Sequence, residues 1–228
     1  MLIRLAEYIP ILSSLLAFVF AFEVLKIYLQ FKKKFVLWWT IGLFLFGLGT
    51  MAEGINSLFG WSETNFRFWF ITGALFGGFP LAQGTVYLFM SEKIGDRTTI
   101  FWLLYLLVAG TCVALSPLSI PPDFNGKLTG EVLTWQWTRL FSPFINTYSF
   151  IFLFGGAVYS ANQYFNQINR ESKFIACLYI SFGAILPSIG GIYMKIGYVY
   201  ALYITEFIAI LLIYRGFRIF VKGDDSAE

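Results

Sequence analysis

The 228-residue sequence contains no histidine. That absence removes His-ligated zinc, an axial imidazole for haem, imidazole general bases and Ser-His-Asp triads together. Cysteine is almost as scarce. Cys112 and Cys177 both sit in long apolar runs, and neither has a CxxC partner. No disulfide framework or thiolate metal site is expected, and both cysteines read as small buried apolar residues. Charge is scarce too, at 13% of residues, against 58% hydrophobic and 21% aromatic. A soluble domain carries about a quarter charged residues, and a chain of this size cannot hide so much apolar surface from water. The same composition excludes a disordered chain and a basic nucleic-acid-binding face. In their place stands a succession of apolar runs, so the expected fold class is all-α, a polytopic membrane bundle.

A crossing helix needs about 20 predominantly apolar residues. Seven such runs occur, at about 8–30, 35–60, 68–90, 98–120, 140–165, 174–194 and 196–214. They make one seven-helix transmembrane domain over residues 1–220, followed by a short tail, 221–228. The polar stretch 123–139 is the only substantial loop. The first run extends well past the length of a signal-peptide core and no small-residue cleavage site follows it, so it reads as a helix of the mature chain.

Basic residues favour the cytoplasmic side of a membrane. With the N-terminus outside and the C-terminus inside, eleven of the sixteen Lys and Arg fall on the inner side, among them Lys32, Lys33 and Lys34 in one very short loop. The tryptophans agree with this register. Trp38, Trp39 and Trp102 fall at inner ends, whereas Trp61, Trp69, Trp135 and Trp137 fall at outer ends or in outer loops. Amphipathic indoles concentrate at such interfaces.

Helices in lipid associate through close packing of small residues and through polar contacts. Gly42, Gly49, Glu53, Asn56 and Gly60 share one face of the second run at helical spacing. Gly73 and Gly77 form a GxxxG in the third, and Gly183, Gly190 and Gly191 lie along the sixth. Pro80, Pro143 and Pro187 fall inside runs and predict kinks in the third, fifth and sixth.

Ionisable groups inside a bilayer are costly and mark functional sites by default. Glu23 lies about 10 Å from the inner end of the first run, with Lys26 one turn on; the pair predicts an ion pair with the lysine reaching for the interface. Glu53 lies about 10 Å below the outer end of the second run, with Asn56 at i+3, and Glu206 lies about 15 Å into the seventh. With Asn146 of the fifth run they form a candidate polar cluster in the outer half, with Arg139 at its rim. Gln83 adds an amide in the third run. The expected ligand-binding residues are therefore Glu53, Asn56, Gln83, Asn146 and Glu206. No catalytic or metal-ligating residue is expected.

The basic loop 32–34, the segment Phe35-Val36-Leu37-Trp38-Trp39 leading to Gly49-Thr50-Met51-Ala52-Glu53, the aromatic Phe68-Trp69-Phe70, and then Pro80 and Tyr87 carry a resemblance. Over about the first 90 residues the chain resembles the seven-helix membrane sensor region that precedes some bacterial histidine kinases. It is also similar to a group of uncharacterised prokaryotic seven-helix membrane proteins. The resemblance implies a receptor-like role. The signalling domains typical of such sensors do not follow, so a partner would carry the output. A retinal protein needs a lysine within its seventh helix, and the run 196–214 has none. Seven-helix zinc hydrolases need three histidine ligands. No cofactor is expected, although a bound lipid would suit the apolar interior.

The leading expectation is a plasma-membrane, receptor-like protein that binds a small apolar or lipid-like ligand within the bundle and acts through a cytoplasmic signalling partner or a second copy of itself. The alternative is a small-solute transporter coupled to protons through Glu53 or Glu206. A structural subunit of a membrane complex is third. Nucleic acid is not an expected partner.

Overall fold

The computed structural model describes residues 6–165, 167 and 170–225. The long apolar runs become helices. α1 is Ile9–Phe31, α2 Lys34–Phe59, α3 Glu63–Trp69, α4 Phe79–Phe89, α5 Glu92–Leu115, α6 Phe141–Phe165, α7 Glu171–Lys195 and α8 Val199–Asp225. Among the described residues there is no strand, only an isolated antiparallel bridge between Leu118 and Leu133. Among the described residues, five helices are long and apolar enough to cross a membrane: α1, α2, α5, α6 with the 3-10 turn before it, and α7. They expose the surface expected of such helices. On α5, Ile100, Phe101, Leu104, Leu107 and Val108 are all more than half exposed, a continuous apolar face that water would not tolerate.

The third apolar run is not one helix. It starts as the short α3, widens into a π turn over Phe70–Leu75, breaks at residues 76–78 and resumes as α4. Pro80 explains the break. It has no N–H to give the carbonyl of residue 76, and Gly77 and Gly78 precede it in a segment with little steric constraint. Pro80 therefore lies in the first turn of α4 rather than in mid-helix. Pro143 likewise falls in the first turn of α6. The kinks expected at these two positions are replaced by helix starts, where a missing N–H costs nothing. Only Pro187 lies inside a helix, α7.

Other boundaries also move. α5 begins six residues before the predicted run and takes Asp96 and Arg97 into its first turns. α8 continues eleven residues beyond the seventh predicted run, to Asp225. The stretch 123–139 is not an open loop. Leu128, Val132, Leu133 and Thr138 are buried within it. Ser119 N–H donates to Val132 O at 2.8 Å and Thr134 N–H to Pro117 O at 2.9 Å, so the segment closes on itself as a small packed cap.

Contacts divide the chain into two compact units, Met1–Ser149 and Phe150–Glu228, with the division inside α6. In the first unit α2 is central. Its Gly47 lies against Phe18 of α1, whose Ser14 hydroxyl donates to Gly47 O at 2.9 Å. Its opposite side meets the broken third segment. A Cβ at Gly42 would lie 2.9 Å from Leu81 N, and one at Gly49 would lie 3.0 Å from Gly73 Cα. From the other partner, a Cβ at Gly84 would run into the Trp39 ring and stand 2.9 Å from Phe35 O. These are backbone-to-backbone approaches that only glycine permits.

The second unit rests on α7 packed antiparallel to α8. The short turn between them holds Gly197 at φ +97°, a conformation in which any Cβ is strained. Gly183 of α7 faces Ala209 O and Ile213, Gly190 faces Leu202 and Thr205, and Gly216 of α8 faces Ala176 O. Gly191, one residue on, faces nothing within 4 Å. The two positions therefore differ in what an added methyl would meet. Gly190→Ala places a Cβ 2.9 Å from Leu202 Cα and against the Thr205 hydroxyl, and is expected to destabilise the chain by about 1–3 kcal/mol. Gly191→Ala is expected to leave stability unchanged or raised by about 0.4–1 kcal/mol. Thermal unfolding in detergent, followed by circular dichroism, checks the pair; equal midpoints for the two variants would contradict this packing.

Candidate functional site

Two polar centres occupy opposite ends of α2 in the first unit. The end near Phe59 holds Glu53, Asn56, Asn65, Arg67 and Trp69. Glu53 is 3% exposed, and the Trp69 indole N–H donates to its Oε1 at 3.0 Å. The π turn begins at the next residue, so the donor is anchored where the third segment changes its winding. One turn along α2, Asn56 Nδ2 donates to Gly126 O at 3.0 Å, which ties the cap to the helix. Asn65 Nδ2 donates to Ala52 O at 2.8 Å. Its own backbone N–H donates to Ser62 Oγ, which caps α3.

Arg67 closes the neighbouring helix. The last carbonyls of a helix have no partner within it. Arg67 Nη1 donates to Val113 O at 2.6 Å and to Ala114 O at 2.8 Å, and Nη2 donates to Ser116 O at 2.9 Å. Glu63, one turn earlier, takes the remaining edge of the guanidinium at 2.8 and 3.0 Å. A planar fork of five donors suits this role as an ammonium would not. The guanidinium also sits where the negative end of the α5 dipole lies.

Among the described residues, Asn56 Oδ1, an acceptor, and Trp61 Nε1, a donor, are buried at this end without a hydrogen-bond partner. Trp61 packs edge-on against Phe124 of the cap, with centroids 5.5 Å apart, and obliquely against Phe66 at 6.3 Å. A buried polar atom left without a partner costs about 1–3 kcal/mol, and in native proteins such atoms are few.

The other polar centre differs in being closed. Gln83 is fully buried. Its Nε2 donates to Gly95 O at 2.9 Å and to Thr98 Oγ1 at 3.0 Å, and its Oε1 accepts from the Tyr148 hydroxyl at 2.6 Å. Aromatic rings surround it. Tyr148 lies against Trp102 at 4.8 Å and Phe79 at 6.2 Å, and Phe79 lies against Trp38 at 5.6 Å. Toward the chain surface, the Tyr87 hydroxyl donates to Asp96 Oδ1 at 2.7 Å. Lys34 Nζ reaches the same oxygen at 3.2 Å and Glu92 at 3.8 Å. Every capacity of the Gln83 amide is engaged, so this network joins α4, α5 and α6 and leaves the side chain nothing to offer a ligand.

The expected ligand-binding residues thus occupy several places. Glu53 and Asn56 are brought together at one end of α2. Gln83 belongs to the closed network. Asn146 is exposed on α6. Glu206 is half-buried on α8, in the second unit. Arg139, expected at the rim of the cluster, donates to Gln136 Oε1 at 2.8 Å within the cap. Glu23 is half-buried and Lys26 exposed on α1. The two cysteines are free thiols, Cys177 buried and Cys112 half-buried. Among the described residues no group of three or more His, Cys, Asp or Glu could hold a metal ion. Two open concavities lie on the described surface, an apolar one of about 280 Å³, lined by Tyr105, Trp137, Leu140, Phe141 and Phe144, and a larger basic groove on the second unit. Neither is lined by an expected site residue.

Sequence reasoning missed Asn65, Arg67 and Tyr148. Glu63 and Arg67 stand at i and i+4, and Ser62 precedes them as a helix cap, so the α3 start carried a local signal. Tyr148 carried none, because its role depends on which helix it meets. Comparison with protein-family models, with curated proteins and with solved structures finds no match.

Proposed function

We propose that the chain is a multi-pass protein of the plasma membrane. It crosses seven times, with its N-terminus outside and its C-terminus in the cytoplasm, and its first unit is a receptor-like module for a small, largely apolar or lipid-like ligand. The observation that carries this reading is the corner at the Phe59 end of α2. A buried carboxylate lies one turn from Asn56, and two buried polar atoms there, Asn56 Oδ1 and Trp61 Nε1, have no hydrogen-bond partner. A ligand hydroxyl both donates and accepts, so it suits either the orphaned acceptor or the orphaned donor. Apolar walls with a few convergent polar groups are the usual composition of small-molecule sites, and Phe66, Phe70 and Phe124 supply the walls. The resemblance of the first 90 residues to bacterial sensor regions favours the same role, with output passed to a partner on the basic cytoplasmic side.

A proton-coupled transporter is the second reading. The break at residues 76–78 favours it, since discontinuous helices and π turns recur at transport and functional sites. In that reading Glu53 is the group that takes up the proton.

Native mass spectrometry of the full chain, released gently from its membranes, tests the first reading. An adduct of a few hundred daltons is expected, and Asn56→Leu is expected to lower its occupancy at least tenfold while the melting temperature stays within a few degrees. A wild-type chain free of adducts, or an adduct indifferent to Asn56, would overturn the receptor reading; proton-coupled flux abolished by Glu53→Gln would then support the second. The orientation has its own check. A cysteine at position 33, in a chain with Cys112 and Cys177 replaced by alanine, is expected to react with a membrane-impermeant maleimide only after the cells are opened; labelling of intact cells would reverse the topology.

A further inference from the structure

The second unit carries an open groove of about 570 Å³, lined by Ser172, Leu211, Tyr214, Arg215, Arg218, Ile219 and Lys222. Its described lining holds three cations. Arg215, Arg218 and Lys222 stand at i, i+3 and i+7 on α8, so one helix face presents all of them, and all three side chains are exposed. Arg218 is held in place by its own helix. Its Nη1 donates to the Tyr214 hydroxyl at 3.2 Å, and the guanidinium lies 5.9 Å from that ring. The opposite wall is the start of α7, where Ser172 is the second residue and the helix N-terminus has no side-chain cap. An uncapped N-terminus leaves backbone N–H groups and the positive end of the helix dipole in the turn that holds Ser172. The other charges on these helices are Glu171, outside the lining; Lys173, which is buried with its ammonium 5.1 Å from the Phe220 ring; Lys195 and Glu206, farther along α7 and α8; and Asp224 and Asp225, which end α8.

Position adds a second constraint. The seventh apolar run ends at residue 214, so Leu211 and Tyr214 lie at the last turn of the expected span while Arg215, Arg218 and Lys222 lie just past it. Leu211 to Lys222 covers about 16 Å along the helix axis. The groove therefore grades from apolar to cationic across the expected boundary between hydrocarbon and cytoplasm. An amphiphile with a phosphate at one end and an acyl chain at the other matches that gradient. A soluble anion would use the cations and leave Leu211 and Ile219 without a role.

We infer that this groove is a binding site for the phosphate headgroup of an anionic phospholipid of the inner leaflet. Arg215, Arg218 and Lys222 contact the phosphate oxygens, the start of α7 lies beside them, and Leu211 meets the first methylenes of the acyl chain. Arginine pairs suit phosphate because their forked donors bind two oxygens at once. The inference rests on the crossing and orientation proposed above and is independent of the ligand proposed for the first unit.

The full chain in phosphatidylcholine nanodiscs, titrated with phosphatidylglycerol, tests it, with retained lipid read by native mass spectrometry. Saturable retention of one phosphatidylglycerol per chain is expected. Basic residues near an anionic membrane each contribute about fivefold in affinity, so Arg215→Gln with Arg218→Gln and Lys222→Gln should weaken retention on the order of a hundredfold. Arg215→Gln alone should weaken it several-fold. A control that removes two charges elsewhere, Lys32→Gln with Lys33→Gln, should leave it within twofold, and circular dichroism confirms that each variant keeps its helices. Inorganic phosphate at millimolar concentration should not displace the lipid. Equal retention by the triple variant, an equal loss in the control, equal retention of phosphatidylcholine, or displacement by inorganic phosphate would each overturn the assignment.

Discussion

The first unit depends on how closely α2 approaches the segment that follows it. Lipid chains are as apolar as leucine, so no hydrophobic force draws two helices together within a membrane; association relies on contact area and polar bonds. α2 supplies both on one face. Gly42 and Gly49 allow the backbone of the third segment to touch, at Leu81 and Gly73. Glu53 then takes the indole N–H of Trp69, and Ala52 O takes the amide of Asn65. This contact also makes the break at residues 76–78 tolerable. Irregular backbone at membrane depth is stable only where protein covers it, and here the neighbours on either side of the break are fixed against α2.

Much of this face was legible in the sequence, because Gly42, Gly49, Glu53 and Asn56 recur at helical spacing. The apolar runs likewise located α1, α2, α6 and α7 to within a few residues. What they face was not legible. Trp69 reads in sequence as an interfacial tryptophan, yet it is buried against Glu53. Arg67 reads as one more outer basic residue, yet it closes the end of α5. Pro80 and Pro143 look alike as prolines inside apolar runs, and a hydropathy pattern cannot tell a kinked helix from a helix that begins there. The stretch 123–139 is polar enough to read as a loop, and only the pairing of Leu118 with Leu133 reveals that it folds over its own buried Leu128 and Val132.

The expected site residues separate by how completely their bonds are satisfied. Gln83 has a partner for each amide hydrogen and for its oxygen, and rings close around Tyr148. Such a network specifies which helices meet. At the opposite end of α2, Asn56 Oδ1 and Trp61 Nε1 lack partners in a corner that already holds a carboxylate. The same sequence pattern, a polar side chain in an apolar run, thus has two outcomes, and geometry separates a side chain whose bonds are all made from one with an atom left over. In the second unit glycines again set the helix contact, at Gly183, Gly190 and Gly216, and Arg215, Arg218 and Lys222 gather at the far end of α8.

The central claim is that the buried bond between Glu53 and Trp69 joins α2 to the broken third segment. A double-mutant cycle measures that bond most directly. Glu53→Met, Trp69→Phe and the double variant would be compared with the parent chain by reversible unfolding in mixed micelles. A hydrogen bond contributes about 0.5–1.5 kcal/mol net, and more where a partner is charged, so a coupling free energy of at least about 0.5 kcal/mol is expected. Strictly additive losses, with coupling below about 0.3 kcal/mol, would mean that the two side chains act independently, and the account of α2 as the element that holds the first unit together would fail.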